Sequence, residues 1–499
     1  MTELHGVTSR ETDSASKQIT TVNMSVIGLV GTAPDAEPGA VATVTTGSSL
    51  LGNEIIFSAT DIGTDGNQLK VKAVSGEADS SAGAETAAEF EDGLLTITLG
   101  TDSDGVVNAT AAEAVDVVNA LTFDDGEMGI VAALPEGGTG EGIMTPFGTI
   151  ALAGGEKEPF PLYTPALISG SRTQAKKLGY TGTLYADMND ILNQIGALVI
   201  VVRVEASDDE DQQRANIIQG IQNLRLGQSA INYSPRILIA PEWSCDDGVG
   251  KALESMANTC RAIAYLDSPT MATAEDVARR GQMYGGRVEM LRPRIMVTSD
   301  ITGKTESRPY SAAAAGHRMR IDSAKGCWWS KSNQFVYGFT GLEQIDSYLV
   351  NDPTSVANQL NMANVSTIIQ LDGYKHWGNR LCIDDPQLRF EAVRRTVDAI
   401  EDSIQLMITK QYLDAPINGS LKTSMLGSVN SYIRQQIQLG AIRGGSAWLD
   451  SELNTDEALA AGIVYIDISI TPVSPAEQII ITYSLDKVTG QVTQVQAAA

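Results

Sequence analysis

Ile479-Ile-Ile-Thr-Tyr-Ser-Leu485 is the stretch on which the reading of this chain turns. Ile479, Ile481, Tyr483 and Leu485 fall on one face of an extended chain, and Ile480, Thr482 and Ser484 on the other. Alternation with a period of two over so short a run predicts a β-strand. An earlier apolar run at 464–470 predicts the strand that closes the globular body, and Pro472 and Pro475 separate the two. A strand set beyond two prolines, with a short polar tail after it, is poorly placed for a monomer's core. It is well placed to leave the body and pair with the sheet edge of a second copy, since main-chain hydrogen bonds join such partners without a cofactor. The segment predicts assembly rather than catalysis.

Composition bounds what surrounds it. A chain of 499 residues with 43% hydrophobic and 19% charged side chains exceeds one ordinary domain and can bury a large core. The net charge of −26 argues against direct nucleic-acid binding, because phosphate backbones attract basic surfaces. It suits a particle component kept from unwanted partners by like-charge repulsion. Cys245, Cys260, Cys327 and Cys382 lie far apart with no CxxC pair, so reduced thiols are expected rather than a disulfide framework or a zinc site. Residues 1–21 are polar without a basic-then-apolar stretch, and no apolar run approaches the roughly twenty residues of a membrane span. Folding in a cytoplasm, without membrane insertion, is the expectation.

The chain changes character along its length. Residues 1–23 read as an arm, and 24–43 hold a first buried strand, Ser25-Val-Ile-Gly-Leu-Val-Gly-Thr-Ala33, ended by the turn chemistry of Pro34-Asp35 and Pro38-Gly39. From 44 to 158 there are twenty Asp and Glu against three lysines, a net of −17, with no Arg, Trp, Tyr or Cys. Strand-like pieces at 54–58, 68–73 and 94–99 alternate with Gly/Asp/Ser turns. One helix is expected at 111–121, capped by Thr110, with Phe57, Phe90 and Phe123 as core. This is an acidic, β-rich insert facing outward. From 159 to 300, strand candidates at 197–204, 236–240, 261–266 and 288–297 alternate with helices at 212–224, 249–259 and 274–283, which favours an α/β layer with partly parallel strands. From 301 to 475 the style becomes α+β. Asp384-Asp385-Pro386 offers an N1 proline before apolar residues from Phe390 to Met407 at helical spacing. A second amphipathic helix is expected at 424–439, with Gly440 as C-cap. Residues 476–499 form a C-terminal arm.

No constellation of reactive groups stands out. Gly248-Val-Gly-Lys251 has part of a phosphate loop, but the GxxxxGK[ST] spacing is missing and Ala252 stands where the magnesium-binding hydroxyl belongs. Gly28-Leu-Val-Gly31 lacks a third glycine and a following helix start. Of the histidines, His5, His317 and His376, none has a metal-binding spacing. Cys382 follows His376 by six residues, a spacing that does not bring them together, and reads as a buried thiol. A calcium turn at Asp102-Ser-Asp104-Gly105 lacks the rest of its ligand ladder. No enzyme, cofactor or metal is expected. The clusters His317-Arg-Met-Arg-Ile-Asp322, Gly326-Cys-Trp-Trp-Ser330 and Asp372-Gly-Tyr-Lys-His-Trp-Gly-Asn-Arg380 are rich in types that fill protein interfaces. Trp328, Trp329, Trp377 and Arg380 therefore stand open to two readings, core packing or interface.

Taken in order, these segments resemble the sheath proteins of contractile phage tails and contractile bacteriocins, especially the temperate-phage branch. The resemblance is carried by His5-Gly-Val7, Val26-Ile-Gly-Leu-Val-Gly-Thr-Ala33, Val201-Val-Arg-Val204, Pro235-Arg-Ile-Leu238, Cys260-Arg-Ala262, Ala312 to Trp329, Trp377-Gly-Asn-Arg380 and Tyr465-Ile-Asp467. It covers the arm, the first strand and the body from about Tyr163 onward. The 44–158 region departs from compact members and looks like a decoration domain.

The resemblance implies a fold class of α/β and α+β multidomain type: a sheath core with discontinuous domains, an inserted acidic domain and extended arms. It implies a helical homo-oligomer around a tail tube protein, bounded by baseplate and tail terminator proteins, assembled in the host cytoplasm and ending in the virion tail. Whether the assembly is a phage or a headless bacteriocin stays open. In this family the arms complete a neighbour's sheet, which would assign Val7, Ile19, Ile479, Ile481, Tyr483 and Leu485 to intersubunit arms. The expected tube-facing helix carries Arg434, with Arg443 just beyond. The rival expectations are another acidic shell protein, a surface layer or capsid decoration, and an α/β enzyme with an accessory β-domain.

Overall fold

A computed structural model describes residues 17–77, 83–123 and 127–484. Val26–Thr32, the run Val-Ile-Gly-Leu-Val-Gly-Thr, is buried along its whole length and lies inside a nine-stranded sheet. The sheet order is Gln334–Phe335, Tyr374–Trp377, Val365–Gln370, Val288–Leu291, Ile263–Asp267, Ile237–Ile239, Val26–Thr32, Leu198–Val204 and Pro165–Ser169. The six strands from Val365–Gln370 to Leu198–Val204 run parallel, and antiparallel strands close both sides. Parallel strands need cover on both faces, which explains their unbroken apolar runs. Ile27, Leu29, Val199, Val201 and Tyr265 point toward the helices Leu184–Leu192 and Ser311–Lys325. Val26, Val30, Ile200, Val202 and Leu266 point toward Glu210–Asn223, Asp247–Cys260 and Ala274–Gly281. The expected α/β layer is there.

One expected strand is two. Val288–Leu291 belongs to the large sheet, whereas Ile295–Thr298 pairs with Thr305–Arg308 and Gly341–Leu342 in a separate three-stranded sheet. Pro293 between them has no amide hydrogen to give a ladder, and Arg292 turns its guanidinium to Asp346 at 2.5 Å and Gln344 at 2.6 Å.

The acidic region builds its own core. Val41–Thr46, Ile55–Ile62 and Ile130–Ala133 form one antiparallel sheet, and Ala87–Glu91, Leu94–Leu99, Lys70–Ser75 and Phe147–Ala151 another. The helix Ala111–Asn119 starts with a reciprocal capping box between Thr110 and Glu113. The apolar cluster between these elements, with Phe57 at its centre, is drawn only from residues 42–152. Phe90 and Phe123 meet edge to face at its margin, centroids 5.3 Å apart. The chain enters and leaves through a neck where Ala40 and Glu156 exchange backbone hydrogen bonds of 2.9 and 3.0 Å.

The C-terminal part packs the helices Glu391–Gln411 and Gly419–Gln438 against an antiparallel pair, Ile442–Leu449 with Ile466–Pro472. The first helix begins at Glu391, five residues past the proline expected at N1. Asp385 instead closes a turn by accepting from Gln387 N at 2.8 Å. Asn418 caps the second helix by accepting from Leu421 N at 2.7 Å, so it starts five residues before the expected 424. Gly440 follows it at φ 76°, the left-handed turn expected of it.

Candidate assembly interface

Ile479, Ile481 and Tyr483 lie on no sheet. They are 77, 66 and 83% exposed, and Ile480 on the opposite face is exposed as well. Leu485 and Val7 fall outside the described residues. Ile19 departs from its expected place in an intersubunit arm. It is 3% exposed in this chain's own core, among Ile400, Ile404, Val429 and Ile433. The flanking backbone is pinned too, Lys17 N donating to Ser428 at 2.8 Å and Val22 N to Ser403 at 2.9 Å. An isoleucine that already fills an apolar pocket gains nothing by leaving it. Ile19 anchors its own subunit.

The hairpin Ile442–Leu449/Ile466–Pro472 has two strands and no third among the described residues. Ile442 and Ala447 seat it on the Gly419–Gln438 helix. Trp448 and Ile468 remain exposed. Each strand thus keeps one unpaired outer edge, the arrangement that invites a strand from elsewhere. Arg434 and Arg443 are exposed and make no ion pair among the described residues.

The tryptophan cluster lines a groove of about 880 Å³. Trp328, Trp329, Trp377 and Arg380 form its wall with Met362 and Leu439. The chain's own segment 473–478 runs along it. Arg380 holds Glu477 bidentately, Nε to Oε1 at 2.7 Å and Nη2 to Oε2 at 2.8 Å, with Arg389 at 3.8 Å. Trp377 stacks edgewise on Tyr348 with centroids 5.0 Å apart, and Lys325 lies 4.9 Å from the Trp329 ring. The core reading holds for the packed side of Trp377, and Trp329 is 49% exposed at the groove.

Beneath the groove lies a buried ionic cage that local sequence patterns do not reveal. The Lys331 ammonium meets Glu289 at 2.6 Å, Glu391 at 3.3 Å and the Tyr265 hydroxyl at 2.5 Å. Arg318 and Arg395 share Asp322, and Arg395 also donates to Met24 O at 2.8 Å. Burial alone would raise the Glu391 carboxyl. Lys331, Arg318 and Arg395 outweigh it, with the Tyr265 hydroxyl, and hold it at about 2. Burial pushes His317 and His376 down, so both rings stay neutral. Burial pushes the Cys382 thiol up to about 12 and leaves no thiolate to act as nucleophile. The cage binds the Ser311–Lys325 and Glu391–Gln411 helices to the large sheet.

The other sequence candidates resolve into packing. A Cβ on Gly28 would lie 2.9 Å from Pro235, and one on Gly31 would lie 2.3 Å from Thr183 Oγ1. These glycines admit neighbouring elements rather than a phosphate. Gly248 to Lys251 form the first turn of a helix capped by Asp246, where Tyr284 fills the space above Gly250. Asp102 spends its Oδ1 on the amides of Asp104 and Val106, both at 2.9 Å. No group of three His, Cys, Asp or Glu side chains among the described residues is arranged to hold a metal ion.

Residues 384–486 match the phage tail sheath C-terminal domain. The chain is 31% identical to the tail sheath protein of Burkholderia phage BcepMu over 508 residues, 95% of each chain. It is 30% identical to the tail sheath protein of Escherichia phage P2, over 65% of this chain and 85% of that one. The fold resembles the contracted helical sheath of the anti-feeding prophage, with a TM-score of 0.51 and 19% identity over 65% of this chain and 89% of that one. On this identity and coverage, the chain belongs to the tail sheath proteins of contractile phage tails.

Proposed function

We propose that this chain is the repeating subunit of a contractile sheath, joined to its siblings by strands that its terminal arms donate. The observation that carries the reading is a mismatch within one molecule. Among the described residues, a two-stranded hairpin has both outer edges free, and a period-two apolar segment, Ile479 to Tyr483, meets no sheet. Adding that segment to the hairpin edge of a second copy satisfies both, through backbone hydrogen bonds and burial of one apolar face. Val7 and Leu485 would belong to the same pair of arms.

The polymer would surround a tail tube protein between a baseplate and a terminator, form in the host cytoplasm and end in the virion tail. Contraction is then a change between two packings of the same subunits, with the donated strands as tethers. No nucleotide is consumed, because the free energy is stored when the sheath polymerises. Arg434 and Arg443, exposed and unpaired among the described residues, suit a hydrated tube-facing surface that holds and then releases. The 44–158 region, with its separate core and net −17, suits an outward decoration domain. Trp328, Trp329, Trp377 and Arg380 serve the subunit interface.

Truncation tests the central step. A chain ending at Leu485 should form sheaths visible by negative-stain microscopy. A chain ending at Gln478 should remain folded and unpolymerised. Ordered sheaths from the shorter chain would overturn strand donation by the C-terminal arm.

A further inference from the structure

We infer that the tryptophan groove is the seat of a second copy of this chain, namely the copy that receives the C-terminal strand. The inference rests on the donation reading above and extends it to a surface that is not an arm. Its starting point is the length of tether. Glu477 is fixed by the bidentate Arg380 pair, and its amide closes a tight turn onto Pro475 O at 3.0 Å. The donated run begins at Ile479, two residues on, and two residues span at most about 7 Å. A hairpin that takes this strand must therefore come within that distance of the groove's rim.

The groove has the chemistry for such a neighbour. Met362, 66% exposed, Leu439 and Trp329 leave apolar surface open beside the charged clamp. The acceptor hairpin offers the matching group in Trp448, 45% exposed on the face turned away from the Gly419–Gln438 helix. Large apolar side chains that enter such pockets dominate association energies. The Arg380–Glu477 pair, held at the edge of this contact, fixes the direction in which the arm departs.

Photo-crosslinking in assembled sheaths tests the assignment, using full-length chains mixed from light and heavy isotope labels. A crosslinker at Met362 should join light to heavy peptides drawn from residues 442–472. A crosslinker at Tyr483 reports strand donation independently. If Tyr483 reaches another copy's hairpin while Met362 reaches only its own chain, donation stands and the groove assignment falls. If Tyr483 reaches no other copy, both fall. As a second arm, Met362→Glu should leave the monomer's melting curve unchanged and weaken assembly about tenfold, the equivalent of about 1.4 kcal/mol. Unchanged assembly would overturn the assignment.

Discussion

Lys331 is a charge without water. Its three close partners are Glu289, Glu391 and Tyr265, and together with Arg318, Arg395 and Asp322 they make three cations facing three carboxylates. Removing one member of a buried ionic set leaves its partners desolvated and unpaired, which costs about 3–5 kcal/mol. Lys331→Met should therefore lose that much in chemical unfolding of the monomer, far more than its near-isosteric shape suggests. Glu391 supplies a pH dependence. Its folded value of about 2 lies below its ordinary 4.5, so its contribution is complete above about 4.5 and fades as the pH falls toward 2. The stability of Glu391→Gln, followed by acid titration, should vary less across that window than the parent's. None of this was legible beforehand. The partners of Lys331 come from two strands and a helix 42 to 66 positions away, and no local pattern marks a lysine that will be buried.

Secondary elements were legible where burial writes a pattern. Val26–Thr32 and Leu198–Val204 are apolar along both faces because helices cover both faces, and their sequences say so directly. Ile442–Leu449 went unread because Arg443-Gly-Gly-Ser446 has neither alternation nor β-branched residues. It is a strand because Ile466–Pro472 pairs with it and the Gly419–Gln438 helix supports it. That hidden strand is half of the proposed acceptor hairpin. Arg434 on the helix and Arg443 on the hairpin are both exposed. Arg434→Glu with Arg443→Glu should leave the monomer folded and lower the yield of sheaths built on tubes. The ratio of tube-bound to empty polymers by electron microscopy measures it, and an unchanged ratio would remove these residues from the tube-facing surface.

At the scale of the whole molecule, the chain carries two kinds of core. One is the large sheet with its helices, and the other is the acidic unit closed over its own apolar cluster. The sequence announced the second by a shift in charge and aromatic content. It was silent on Glu477, from which the proposed C-terminal arm would depart, since a glutamate in a polar linker carries no signal until Arg380 and Arg389 are brought beside it. Joining residue 39 to residue 157 through two glycines should give a shorter chain that unfolds at the parent's temperature and still polymerises. Loss of folding would show that the acidic unit shares the body's stability. The neck at Ala40 and Glu156 has a wider consequence. Any foreign fold whose two ends meet could be spliced at that doorway without disturbing what lies behind it. A tail built from such chains would carry one passenger per step along its length.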